Sequence, residues 1–469
     1  MPEIDALLIN PISARMIPAF VPHGLLYIAS FAIQKGYDVR IYDRNIQEQG
    51  LEEVLNELSP KVVGLGCLTG TSIDDAIHVS KAIKKSHPRT KVAWGGIHTS
   101  LYPDSVLRED FVDFVVVGDG EAAFTGIIDK IIKDNVSLES IDNLGYKEDG
   151  QLKYNKIAFT DMENLPQPAW HLIEVEKYIR SKFYARMVLT INTSRGCPYK
   201  CSFCCVPKVH QGKWRSVSAE KIIENLKFLK ERYGIDGFQV DDDEFDIDRN
   251  RVMKLCQLLR SNNLNLKWSH FSRINIVNED VLREEVRCGL RLIEFGVESG
   301  SPRMLEFLNK GQTVEQIIRA YSICKRLHIK TSALFMVGLP TEEARDLEET
   351  VKLIKRLNPH LTICTIFKPY PGTVFFDYCI DRGLFHYPDR IEDVGSVYSR
   401  DINISTIADK AIRRIKRYFD LNNIYQEIMN CVSVGNFGLI VYYIRYRLVG
   451  GLKHIIKNYF LSTGYQHMS

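Results

Sequence analysis

Short β-branched runs alternate with amphipathic stretches twice along this chain, and that cadence restricts its fold more than any other property. Over residues 4–135 the strand-like runs are 4–10, 38–43, 62–68, 91–95 and 114–117, separated by helix-like stretches at 23–35, 51–58, 73–87, 102–108 and 122–133. Strand, helix, strand at this spacing predicts a parallel sheet covered by helices on both faces, a doubly wound, Rossmann-like α/β domain. The cadence resumes over 186–385, with strand-like runs at 187–193, 237–240, 266–269, 292–296, 332–337 and 361–367. Six βα units predict a partial (β/α)6, TIM-like barrel. Between the two, residues 136–185 lack clear periodicity, carry Pro166, Pro168 and Trp170, and read as a linker. Residues 386–469 read as a helical C-terminal region. Several domains are expected at 469 residues, since single cores stop growing near ~250–300.

In such sheets a ligand lies at the carboxyl ends of the strands. Those ends are rich in small residues, at 67–72, 95–100 and 118–121. Small residues let a backbone approach a bulky ligand. For any one loop a glycine that closes a turn explains the pattern equally well, but three such loops on one edge favour a large cofactor. No G-x-G-x-x-G follows the first strand, so a dinucleotide is not indicated.

After the first strand of the second cadence comes Cys197-Pro-Tyr-Lys-Cys201-Ser-Phe-Cys204, spaced C-x3-C-x2-C. No fourth cysteine follows at ligand spacing; Cys205 is adjacent, and neighbouring side chains diverge. A structural zinc site wants four ligands and an ordinary [4Fe–4S] cluster wants four thiolates. Three thiolates on one loop suit a cubane with one iron left open. A zinc knuckle borrowing a distant histidine, or three unrelated thiols, also fit the bare spacing. The acidic run Asp241-Asp242-Asp243-Glu244, Glu298 and Gly338 fall at neighbouring strand ends, on the same rim.

These residues resemble the radical S-adenosylmethionine (SAM) enzymes. The resemblance covers about residues 185–375 and rests on Thr193-Ser194-Arg195-Gly196-Cys197-Pro198, Asp242-Asp243-Glu244-Phe245, Gly296-Val297-Glu298-Ser299-Gly300, Met336-Val337-Gly338-Leu339-Pro340-Thr341-Glu342 and Pro369-Tyr370-Pro371-Gly372-Thr373. The first domain is similar to the cobalamin-binding domain that precedes this barrel in one large subfamily, through Pro22-His23-Gly24-Leu25-Leu26-Tyr27-Ile28-Ala29, Gly95-Gly96-Ile97-His98 and Val115-Val116-Val117-Gly118-Asp119-Gly120-Glu121. One departure stands out. Where cobalt-ligating domains carry D-x-H-x-x-G, this chain has Asn10-Pro11-Ile12-Ser13-Ala14-Arg15, and His23 sits at the start of the first helix. The expected corrinoid is therefore base-off, with no lower histidine.

The resemblance implies that Cys197, Cys201 and Cys204 bind a [4Fe–4S] cluster. It implies that Asp242, Asp243, Arg273, Glu298, Met336 and Gly338 contact SAM. Cobalamin would lie against Leu68, Thr69, Gly95, Gly96, Gly118 and Gly120. The implied reaction is methylation of an unactivated carbon through a 5′-deoxyadenosyl radical and methylcobalamin. The alternatives are a non-methylating rearrangement, such as cyclisation or ring contraction, and a cobalamin-sensing or scaffold protein without catalysis. A tRNA methylthiotransferase is disfavoured. The first domain holds only Cys67 and the tail reads helical, so no nucleic-acid partner is expected.

The expected substrate is a small or lipid-like molecule, and the expected electron donor a flavodoxin or ferredoxin. Eleven cysteines, scattered apart from the 197–205 group, suit a reducing cytoplasm. The N-terminus has no basic n-region, and no apolar run approaches the ~18–20 residues that span a bilayer. Over 401–469 nine Lys and Arg face four acids, with aromatic residues between them. Such a tail either lies on an anionic membrane surface or forms a lid with a solvated basic side.

Overall fold

The computed structural model of the chain describes residues 3–13 and 19–433. The first cadence forms a seven-stranded sheet of β1 (Ala6–Asn10), β2 (Val39–Asp43), β3 (Val62–Gly66), β4 (Lys91–Gly95), β5 (Phe114–Val116), β6 (Leu144–Glu148) and β7 (Gln151–Tyr154), in the order β2-β1-β3-β4-β5-β6-β7. Strands β1 to β5 are parallel, and their near-continuous apolar runs reflect burial on both faces. The strand order reverses between β1 and β3, which puts the crevice for a ligand outside Asn10 and Gly66.

The stretch expected to be a plain linker is structured. β6 pairs antiparallel with β5, and β7 with β6, extending the first sheet. The turn between them is Asp149-Gly150, both at positive φ (49° and 77°), the conformation a two-residue hairpin turn demands. Farther on, Trp170 is 1% exposed and donates from Nε1 to Asn225 Oδ1 at 2.9 Å, and the Ala169 amide donates to the Leu26 carbonyl. The segment is mortar between the two halves. One buried apolar network runs from Leu8, Ala93 and Phe124 through Trp170 to Leu189, Phe238 and Trp268.

The second sheet contains β8 (Arg180–Lys182), β9 (Ala185–Ile191), β12 (Gly237–Val240), β13 (Lys267–Ser272), β14 (Leu290–Glu298), β15 (Lys330–Val337) and β16 (Leu361–Ile366). Six of these strands are parallel, and β8 is an antiparallel edge on β9. β16 does not pair with β9, so the barrel stays open. A two-residue ladder of β10 (Ser194–Arg195) and β11 (Arg215–Ser216) closes the base of the cysteine loop.

In the described part of the C-terminal region, helices run over Ile391–Ser399 and Asp409–Ser433. The basic aromatic stretch from 434 onward lies outside the described residues. The second helix covers the free edge of β16. Asn423 Oδ1 accepts from the Thr362 amide at 2.8 Å, and its Nδ2 donates to the Thr362 carbonyl at 2.5 Å. An uncovered edge is a template for unwanted pairing. Among the described residues no helix is long and apolar enough to cross a membrane. Asn423→Leu should leave both Thr362 groups unpaired, cost about 1–3 kcal/mol, and accelerate hydrogen exchange at the Thr362 amide. Unchanged exchange at that amide would show that the helix does not guard the edge.

Candidate functional site

The carboxyl ends of both sheets face one another, and the cysteine loop lies between them. Gly196 opens the loop at φ +85°, where a Cβ would collide with the Lys213 carbonyl. The loop is fastened at its far side. The Ser202 amide donates to the Leu308 carbonyl, the Phe375 amide to the Ser202 carbonyl, and Asn309 Nδ2 to the Lys200 carbonyl. Cys197 and Cys201 are buried, Cys204 is half-buried, and all three are free thiols. Burial raises the Cys197 thiol to about 11 and holds Cys204 higher still. A metal is needed to draw both as thiolates.

Two observations test what the loop can hold. A zinc ion bonded to three thiolates at ~2.3 Å brings their sulfurs to about 3.8 Å from one another. Yet among the described residues the only three metal-ligating side chains whose donor atoms all lie within 4.8 Å are Asp246, His270 and Glu285, elsewhere in the barrel. The three thiols of the cysteine loop do not fall within that spacing. Second, the Arg273 guanidinium stacks over the Tyr199 ring at 3.8 Å and donates to Cys201 Sγ at 3.1 Å. A cation donating to sulfur favours the thiolate.

The acidic run divides by partner. Asp242 is buried and accepts from Asn192 Nδ2, the Thr193 amide, Thr193 Oγ1 and Ser194 Oγ at 2.6–3.2 Å. Its oxygens are taken, so it braces the strand leading to the cysteines. Asp243 accepts from the Gly196 amide at 2.7 Å and keeps 31% of its side chain exposed toward the cleft. Protein surrounds it on the other sides, and burial raises its carboxyl to about 6.

Arg273 is committed to the loop. Besides Cys201 it holds Asn275 Oδ1 and the Lys310 carbonyl. Glu298 sits at φ +65° in the β14 bulge and pairs with the buried Lys310 ammonium. Met336 is buried at the end of β15. Gly338 follows at φ +75°, and its amide donates to Glu342 Oε2 at 2.6 Å. Lys310 and Glu342 were not picked out from sequence. Glu342 was visible within the Met336–Glu342 motif, but nothing local marks Lys310.

Gly95, Gly96, Gly118 and Gly120 of the first domain line one cavity of about 220 Å³. At its floor the glycines let neighbouring groups pack closely. A Cβ on Gly64 would fall 2.6 Å from Phe124, one on Gly96 would fall 2.6 Å from the Cys67 carbonyl, and one on Gly120 would fall 2.7 Å from Ile28. His98 Nδ1 lies 3.2 Å from Thr69 Oγ1 and ties the loop after β3 to the loop after β4. Leu68 is 52% exposed on the same edge. His23 does not line the cavity; its Nε2 meets Thr190 Oγ1 at 3.2 Å, on the barrel side.

Arg195, Val209 and His210 close this cavity from the barrel side. Arg195 reaches across to Glu121 at 2.6 Å and Asp119 at 3.5 Å, and Arg215 pairs with Asp119 as well. Burial opposes the Asp119 charge, but Arg195 and Arg215 outweigh it and hold that carboxyl below its ordinary range. The pair is therefore fully ionised at neutral pH. Its stabilisation persists above the ordinary carboxylate range and is lost only as pH falls through the lowered value.

Residues 191–354 match the Radical SAM superfamily, and residues 18–128 match the B12 binding domain. The chain is 32% identical over 369 residues to an uncharacterized methyltransferase, PH0819, of Pyrococcus horikoshii, covering 77% of this chain and 79% of that protein. It is 26% identical over 415 residues to the anaerobic magnesium-protoporphyrin IX monomethyl ester cyclase of Rubrivivax gelatinosus, covering 85% and 73%. Its fold is similar to that of the radical SAM methyltransferase TsrM of Kitasatospora setae, with a TM-score of 0.68, 18% identity, and 80% and 76% of the two chains covered. If the glycine floor is where cobalamin binds, Gly64→Val, which overpacks Phe124 against it, should lower bound corrinoid while leaving the iron content unchanged. Wild-type corrinoid content in that variant would sink the assignment.

Proposed function

The chain belongs to the cobalamin-dependent radical SAM enzymes, and on that premise we propose that it methylates an unactivated carbon of a small or lipid-like molecule. Its cofactors are a [4Fe–4S] cluster, SAM and cobalamin. The observation that carries the reading is a shared wall. The cavity behind the glycine edges is closed by Arg195, just before the cysteine loop, and by Val209 and His210, just after it.

When bound, the cluster supplies the electron that splits SAM into methionine and a 5′-deoxyadenosyl radical, and the corrinoid carries the methyl group. The protein's part is to hold and orient. Cys197, Cys201 and Cys204 would ligate three irons, with the Arg273 guanidinium steadying the Cys201 thiolate. The exposed face of Asp243 would accept from the SAM ammonium, while Asp242 fixes the strand beneath it. Glu298, set against Lys310, would take the ribose or the polar end of SAM. Met336 and the Gly338 carbonyl would meet the adenine. Gly64, Gly66 and Gly120 would cradle the buried part of the corrinoid, with Leu68, Thr69, Gly95, Gly96 and Gly118 along its edge. A flavodoxin or ferredoxin would supply electrons, and the tail beyond 433 is the candidate for membrane contact.

A second reading is a rearrangement without methyl transfer, favoured by the similarity to the cyclase. The higher identity to a protein named a methyltransferase supports the first. The discriminating measurement is product analysis with substrate. Methylation yields both S-adenosylhomocysteine and 5′-deoxyadenosine, whereas deoxyadenosine alone identifies the rearrangement. Serine at Cys197, Cys201 or Cys204 should abolish SAM cleavage, and retained cleavage would remove the cluster assignment.

The Asp243 proposal sets a pH dependence. With its carboxyl raised to about 6, the group is charged above that pH and neutral below it. The raised value means that ionisation costs folding free energy above 6, which an ammonium partner offsets. SAM affinity of the cluster-loaded protein should fall as pH drops through 6, by up to about tenfold per unit. Asp243→Asn should bind weakly and without this pH dependence, and a wild-type affinity unchanged at pH 5 would exclude the contact.

A further inference from the structure

Asp246, His270 and Glu285 form a buried cluster that none of the chemistry above uses. Asp246 stands just past the acidic run, His270 lies on β13, and Glu285 lies on the helix Glu279–Arg287. Donor atoms of the three all fall within 4.8 Å of one another. His270 is 0% exposed and Glu285 is 1% exposed. Four atoms here have no hydrogen-bond partner: His270 Nε2, both Glu285 carboxylate oxygens and Asp246 Oδ1.

The ring geometry fixes what faces what. His270 Nδ1 lies 3.1 Å from the Phe271 carbonyl. A carbonyl can only accept, so Nδ1 carries a proton. Nε2 then faces Glu285 Oε1 at 3.5 Å, and Asp246 Oδ1 stands 3.5 Å from Nδ1. Asp246 Oδ2 is already held by Ser272 Oγ at 2.6 Å. A nitrogen lone pair and a carboxylate opposed in a dry interior need a positive centre between them. The separation is too long for a good hydrogen bond. It matches the edge, about 3.4 Å, between two ligands that each sit ~2.0–2.1 Å from a tetrahedral ion.

We propose that Asp246, His270 and Glu285 bind one divalent transition-metal ion of the zinc class, at a structural site separate from the cysteine loop. One imidazole with two carboxylates suits zinc better than magnesium or calcium, which prefer all-oxygen shells. Two carboxylate charges against a divalent ion also leave the interior neutral. The ion ties the loop carrying Asp242 and Asp243 to β13 and to the following helix. It thereby holds Asp243 and Arg273, which follows β13, in register on the rim.

The probe is zinc itself. The full chain, with its cluster loaded and then treated with chelator, is titrated with zinc chloride, and bound metal is counted by elemental analysis. The expected result is about one zinc per chain, with a melting midpoint that rises on zinc addition. Glu285→Gln and His270→Gln should lose that zinc while keeping wild-type iron. Glu285→Gln keeps the side chain's shape and removes a buried charge, so its fold should survive.

A chain with Cys197, Cys201 and Cys204 all replaced by serine should still take up the ion, which separates this site from metal captured by an empty cysteine loop. Zinc below roughly 0.2 per chain in the cluster-loaded wild type, or undiminished zinc in Glu285→Gln, overturns the proposal. So does loss of zinc in the triple-serine chain. In any of those cases a proton shared between His270 and Glu285 is what occupies the gap.

Discussion

The Arg195 guanidinium holds the two halves of this protein in working order. It stands just before the cysteine loop and reaches Asp119 and Glu121 at the carboxyl edge of the other sheet. All three side chains are largely buried, so deleting the arginine would strand the Glu121 carboxylate away from water and leave Asp119 to Arg215, a loss of about 3–5 kcal/mol. Arg215 and His210 widen the clasp; Arg215 pairs with Asp119, and its Nη2 lies 2.9 Å from His210 Nδ1. Tyr27 lies beneath Arg195, its ring 5.2 Å from the guanidinium, and its hydroxyl donates to the Asn192 carbonyl. The clasp sets the distance between the glycine edge and the thiols. Chemistry relayed between two cofactors depends on that distance.

The strands were legible because burial on both faces imposes apolar runs, and the rim was legible because strand ends carry its motifs. Other features left no local trace. The clasp joins residues 74 and 96 positions apart, so no window of sequence contains both partners. Lys310 meets Glu298 only because β14 bulges beneath it. Asp242 and Asp243 are identical in type and adjacent, yet one is saturated by Asn192, Thr193 and Ser194 while the other keeps a face to the cleft. The hairpin of β6 and β7 was legible in principle. Asp149-Gly150 is a strong turn signal, and the charged residues around it hid the short strands it joins.

Strain collects where the SAM contacts are proposed. Glu298 holds a left-handed backbone at φ +65°, a conformation that costs of order 1–3 kcal/mol in a residue with a side chain. Lys310 and the β14 bulge keep it there. A Cβ at Gly296 would meet both Lys310 and Glu298, so that glycine yields its space to the ion pair. The carboxylate is aimed before any ligand arrives.

The floor under the glycine edge bears on how such proteins diverge. At Gly64, Gly96 and Gly120 the absent side chain lets Phe124, the Cys67 carbonyl and Ile28 close in and shape that floor. A floor packed that closely is easily disturbed. One nucleotide change that installs an alanine or a valine at Gly64 pushes against Phe124 and Leu8, which line the cavity, without touching a thiol, an acid or the clasp. A descendant could thus shed its corrinoid while its cluster loop stayed intact, and the two inheritances would part company at a single codon.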